Sequence, residues 1–150
     1  MSRGLWLFLH VIGFTAWLGG GLGTMIVGIR AKAWPAGDRL TAYRATGVIT
    51  RTLVAPGAVL VLLSGIALSM PYMQTGAVPG WLMTMQGTGL LGALIVIFVV
   101  TPTAARLSRL ELANGALPAS FAELRKRLVI FATAAGILGL AALVSGTVAR

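Results

Sequence analysis

The sequence predicts an all-α fold: a transmembrane four-helix bundle in up-down order, with both termini on the outer (periplasmic) side. Three observations carry this prediction. The first is composition, with 57% of residues hydrophobic, 10% charged and a mean hydropathy of +0.92. The second is the presence of four apolar segments, each near the twenty or so residues that span about 30 Å of hydrocarbon. The third is a strongly unequal charge in the connections between them.

The first segment, roughly Gly4 to Ile29, follows Met-Ser-Arg. It exceeds the apolar core of a signal peptide and leads into Arg30 and Lys32 instead of a small-residue cleavage site, so it is expected to stay in the protein. The second runs from about Thr52 to Met70. Asp38, after Trp34-Pro-Ala-Gly, is expected to cap a helix that passes through Leu40 and Tyr43 into this span. Pro56-Gly57 is expected to kink it by freeing the Thr52 carbonyl. The third covers Trp81 to Thr101, with Asn114-Gly115 and Pro118 ending its helix. The fourth covers Leu128 to Ala149, and its helix is expected to start at a capping box, Ser120-Phe-Ala-Glu123.

Arg30, Lys32, Arg39, Arg44 and Arg51 lie between the first and second segments, and Arg106, Arg109, Arg125, Lys126 and Arg127 between the third and fourth. The connection 71–80 carries no charge, which leaves Arg3 and Arg150 alone on the other side. Basic loops stay in the cytoplasm, so this asymmetry predicts a multi-pass protein of a bacterial inner (cytoplasmic) membrane. The formal charge of +9 then serves topology and contact with anionic lipid, with no role in binding nucleic acid. Arg51, nearest the apolar boundary, is expected to snorkel. No internal repeat or linker divides the chain, and 1–150 reads as one four-helix domain.

Helices associate in lipid through close backbone approach, so small residues mark the expected contacts. They are Gly19 and Gly23 in the first helix; Thr88, Gly89, Gly92 and Ala93 in the third; and Ala135, Gly139, Ala142 and Gly146 in the fourth. Trp6, Tyr72 and Trp81 are expected at the outer interface, and Trp34, Tyr43 and Phe121 at the inner one.

Chemistry concentrates in the first helix. His10 is the chain's only histidine, and Trp17 lies two helical turns further on. Phe14 and Gly21 extend the same face. An imidazole roughly 10 Å inside the span is a ligand for haem iron or copper when a second group fixes its tautomer. Its alternative role is a neutral histidine bonded to a hydroxyl or carbonyl of another helix. Met70, Met73, Met83 and Met85 gather on the outer side at a similar depth, and soft thioethers beside one imidazole suit Cu(I) or low-spin haem. The competing reading of these methionines is gap-filling in apolar contacts. Arg3 is placed to pair haem propionates or lipid headgroups.

With no cysteine, thiolate metal sites, disulfides and cysteine nucleophiles are excluded. No Ser-His-Asp set, carboxylate pair in the spans, phosphate loop or second histidine is present. Hydrolysis, phosphoryl transfer and proton pumping therefore lack the residues to carry them, and a catalytic role is not predicted. The two functions in view are a site for haem b or copper at His10, and a non-catalytic accessory subunit of a larger respiratory or photosynthetic complex. The protein partners in view are other subunits of a membrane complex or further copies of this chain, and finding only a monomer or homo-oligomer would speak against the accessory role.

The stretch Leu9-His10-Val-Ile-Gly-Phe-Thr-Ala-Trp17-Leu-Gly19-Gly20 resembles the His-x6-Trp-x-Gly-Gly opening of small bacterial four-span proteins. These include integral membrane proteins of unknown function, to which the likeness is nearest, the membrane domain of copper-resistance protein D, and the haem-containing bacterial protoporphyrinogen oxidase. The resemblance implies that His10 matches the histidine that ligates haem or copper there, with Trp17 as its accompanying aromatic. The chain departs from the oxidase in having no lysine in the spans. It departs from the copper domains in offering one histidine, which leaves the methionines as the remaining metal-binding groups.

Overall fold

In the computed structural model, which describes residues 2–74, 76 and 78–148, the chain is all-α. Four helices long and apolar enough to cross a membrane follow one another: α1 (Arg3–Ala33), α2 (Ala36–Gln74), α3 (Gly80–Ser108) and α4 (Ser120–Thr147). Ala149 and Arg150, at the predicted end of the fourth span, lie outside the described residues. Consecutive helices are antiparallel: Gly13 meets Gly57 while Gly20 meets Val54, and Gly89 meets Ala142 while Gly92 meets Ala135. The bundle thus has an end that gathers the start of α1 and the end of α4, called here the terminal end, and an opposite basic end.

Helix starts differ from the expected caps. α2 begins at Ala36 with Pro35 as its N-cap, so Asp38 sits inside the first turn instead of capping it. The fixed φ of Pro35 sets the helix three residues early, and Asp38 there favours the positive end of the helix dipole. The predicted capping box at Ser120 does not form. Ala119 is the N-cap, itself in helical conformation, and makes no side-chain cap bond, while the Phe121 amide donates to the Pro118 carbonyl at 2.9 Å. α3 stops at Ser108, well before Asn114. Asn114 and Gly115 instead take positive φ of 52° and 79° in a tight turn between Ala113 and Ala116.

Of the three prolines inside the spanning helices, Pro71 sits in continuous α-helix, whereas Pro56 and Pro102 share one local solution. A five-residue π turn, Thr50–Val54, precedes Pro56, and another, Val96–Val100, precedes Pro102. The Ala55 amide donates to Thr50 O and the Thr101 amide to Val96 O, five residues back. Widening the helix by one residue accommodates the missing proline N–H and the ring's crowding of the preceding turn. A third π turn, Thr15–Gly19, lies in α1 around Trp17 with no proline. The buried line on α1 is Gly13, Trp17, Gly20, whereas Gly21 has nothing within 4 Å of where a side chain would start.

Trp17 is the centre of the core, 2% exposed and packed with Val54, Ala58, Val61, Ala93, Val96 and Ala135. Its six-membered ring occupies space that side chains at Gly92 and Gly139 would need, with Cη2 3.0 Å from a Cβ at position 92. The small residues of α3 and α4 therefore pack as expected. Those of α1 do not: Gly19 and Gly23 face outward with nothing near them, and the close crossing is Gly13 against Gly57. A Cβ on Gly57 would lie 2.8 Å from both Gly13 O and Trp17 N. We expect Gly57→Ala to destabilise by about 1–3 kcal/mol, because two backbones must part. Gly19→Ala should instead be neutral or stabilising by a few tenths, through helix propensity. Chemical unfolding in mixed micelles compares them directly, and equal effects would contradict the crossing.

A second core fills the basic end: Leu40, Tyr43, Val100, Ala104, Leu107, Phe121 and Leu128. Tyr43 and Phe121, expected at an interface, are buried there, ring against ring at 5.3 Å. Trp34 remains exposed at that end. Arg51 is exposed and donates from Nε to Gly47 O at 3.3 Å, reaching one turn towards the basic end as snorkelling requires.

Candidate functional site at the terminal end

The pairs α1–α2 and α3–α4 are each closely packed, while α1 and α4 touch little. The two pairs part near the terminal end and leave a cavity of about 530 Å³. His10, Phe14 and Leu18 of α1, Gly65 and Ser69 of α2, Met85 of α3 and Ala142 of α4 line it, with Arg3, Tyr72 and Trp81 also on its wall. The Tyr72 and Trp81 rings meet edge to face at 5.9 Å, where α2 hands over to α3. A smaller cavity of about 250 Å³ adjoins it, sharing His10, Phe14, Gly65, Met85 and Ala142 and adding Met73 and Gln86. His10 thus stands between two lobes.

The histidine is held in a defined orientation. Its Nδ1 lies 2.9 Å from the Ser64 Oγ, and that hydroxyl is 2.5 Å from the Leu60 carbonyl one turn back. A hydroxyl has one proton, and the carbonyl can only accept. Ser64 therefore donates to Leu60 and accepts from His10 Nδ1–H. The proton on Nδ1 leaves Nε2 with its lone pair, and Nε2 makes no hydrogen bond among the described residues. Gly65 completes the fit, because a Cβ there would approach His10 Cε1 to 3.3 Å. Beneath the imidazole, the Phe14 ring meets it edge-on at 5.2 Å and stacks on Trp17 at 5.8 Å.

The predicted face is therefore divided. His10, Phe14 and Arg3 line the large cavity, whereas Trp17 lines neither lobe and is spent on the core. Of the four methionines, Met85 lines both lobes and Met73 the smaller one. Met70 and Met83 line neither and are 54% and 63% exposed. Helix phase is the reason: two residues turn the chain by about 200°, which puts Met83 and Met85 on opposite sides of α3. No group of three or more His, Asp or Glu side chains that could hold a metal occurs among the described residues.

Ser64 and Gln86 were missed by sequence reasoning. Each is a polar residue inside an apolar segment, and that isolation was the available signal. Ser64→Ala removes the hydroxyl that accepts from Nδ1–H and leaves the Val61 carbonyl as the remaining acceptor at the ring, so the imidazole is held less firmly. Loss of such an orienting partner typically costs 10- to 100-fold in ligand affinity, so we expect a fall of roughly tenfold or more for any group bound at Nε2. Ser64→Thr keeps the hydroxyl and should retain most of it. Titration of the purified variants with haemin, read by absorbance, checks both.

No family model, curated protein or solved structure matches the chain.

Proposed function

We propose that the chain is a multi-pass protein of a bacterial inner membrane that binds haem b in the terminal-end cavity, with His10 Nε2 as the iron ligand. The observation that carries this reading is the Leu60–Ser64–His10 relay, which leaves a lone pair beside a cavity of about 530 Å³. Cofactor sites occupy roughly 300–1,000 Å³ and are mostly apolar with a few placed polar groups. The residues present fit the group on those terms. His10 would ligate, Phe14 and Gly65 would bound the imidazole's orientation, Met85 is the thioether on the facing helix, and Arg3 is the cation available to propionates. Bound haem would supply one-electron redox chemistry in a site walled off from the basic end by Trp17.

The charge asymmetry of the loops supports placing both termini outside, which would put the cavity towards the periplasm. Copper is served less well, because only Met85 and Met73 of the four methionines border the cavities with His10, and a single ion needs little of this volume.

A second reading is supported by the outward glycines. Ile12, Ala16, Gly19, Gly20 and Gly23 of α1 form a groove with Ile49 and Leu53 of α2. Such a small-residue face suits a partner helix, as in an accessory subunit of a larger complex or a homo-oligomer. The two readings separate by experiment. Protein purified from membranes in mild detergent should show a Soret band that shifts on dithionite reduction. A featureless spectrum that haemin fails to restore would reject the haem reading. A mass equal to the monomer under native conditions would reject the second.

A further inference from the structure

We propose that the basic end of the gap between α1 and α4 binds the phosphate of an anionic glycerophospholipid through Arg39 and Arg125. This site is remote from the His10 cavity and does not depend on the haem reading.

Two helices exchange arginines there. Arg39 and Tyr43 lie one turn apart on α2, and Phe121 and Arg125 lie one turn apart on α4. Each arginine reaches the other helix's aromatic ring: Arg39 Cζ lies 5.7 Å from the Phe121 ring centre, and Arg125 Nε donates to Tyr43 Oη at 2.8 Å. The aromatic pair beneath them is buried. Arg39 also donates from Nη2 to the Lys32 carbonyl at 3.0 Å, at the close of α1, and Tyr43 Oη lies against Gly28 of α1. The guanidinium groups thus span from α4 across to α1, where those helices make little direct contact.

Both arginines have already lost much of their rotamer freedom to these contacts, so less is lost when they take a ligand. Their charge is also uncompensated. Arg39 and Arg125 form no ion pair with Asp38, Glu111 or Glu123 among the described residues. The nearby cations Lys32, Arg44, Lys126 and Arg127 add to the field. An anion of fork-binding geometry is the complement, and a phosphate diester provides it. The position selects a lipid as its source: the site lies where the apolar helices end, and Met25, Ile26 and Ile29 of α1 and Val129 and Ile130 of α4 are exposed apolar residues along the adjoining turns. Zwitterionic headgroups bring a cation into this field, whereas anionic ones do not.

The test uses the full chain in detergent, relipidated with phosphatidylglycerol or phosphatidylcholine, or given inorganic phosphate alone. Native mass spectrometry counts retained lipid, and thermal unfolding reads stabilisation. Retention of phosphatidylglycerol with a raised unfolding midpoint, exceeding the effect of phosphatidylcholine, is expected. R39Q/R125Q should bind it roughly 10- to 30-fold more weakly, from two basic contacts, while the charge-matched K126Q/R127Q should stay near the unmodified protein. Equal losses in the two double variants would reduce the effect to diffuse charge and overturn the site. Equal responses to the two lipids, or full stabilisation by inorganic phosphate alone, would overturn the lipid assignment. If R39Q/R125Q does not fold, the comparison of lipids and phosphate on the unmodified protein decides.

Discussion

His10→Ala is expected to abolish the haem spectrum while leaving the fold almost unchanged. The two halves of this expectation rest on the same hydrogen bonds. Removing the imidazole takes away the lone pair at the cavity, and no second histidine exists to replace it. The Ser64 hydroxyl nevertheless keeps its Leu60 acceptor, so no buried donor is orphaned. The lost His10–Ser64 bond contributes about 1 kcal/mol at most. Unfolding should therefore shift little, and helicity by circular dichroism should be retained. Free imidazole added to the His10→Ala protein with haemin should restore part of the absorbance by entering the vacated space. A variant that keeps its full haem spectrum would show that another group ligates the iron. A variant that unfolds would make His10 a structural residue bonded between helices, which is the competing role read from the sequence.

Trp17→Ala is expected to have the largest effect on stability, about 3–5 kcal/mol by the cost of deleting a buried aromatic. The site cannot collapse to fill the space. Part of its wall is backbone beside the packed valines and alanines: Gly92 and Gly139 already meet the indole directly, and Gly57 is pressed against Gly13 O and Trp17 N. Four helices therefore lose contacts at one point, and in lipid those contacts, not exclusion of water, hold helices together. Trp17→Phe should cost less, because part of the ring volume remains. The effect should also reach the cavity, since Phe14 stacks on Trp17 and supports His10, so haemin affinity should fall in the alanine variant as well. Unfolding in mixed micelles and haemin titration measure the two consequences. A stability change under about 1 kcal/mol would refute the keystone role.

The sequence-readable part of the site was the α1 face. His10 and Phe14 recur at helical spacing, and α-helical geometry alone puts them together on the large cavity. The spacing also put Trp17 on that face, yet this residue turned inward to the helix crossing. A line of side chains along one helix does not record which neighbour stands opposite each member. Ser64 illustrates the same limit from the other side, because its relation to His10 spans 54 residues of chain and has no local signature. The methionines were grouped by depth, which sequence position gives well. Whether they share a direction depends on phase, and that separated Met83 from Met85.

By itself the sequence determined four long apolar helices, their order, the charge difference between the two ends and the small-residue seam between α3 and α4. These follow from composition and from a period of 3.6, which act within one segment. Tertiary structure decided which glycines meet, where the π turns fall, which end holds a cavity and which aromatic rings are buried. The physical reason is that these helices are apolar on nearly every side, so the usual amphipathic signal for an inward face is weak. What chooses the face is complementarity with a distant helix, as when Gly57 admits the Gly13 backbone while Gly19 and Gly23 stay outside.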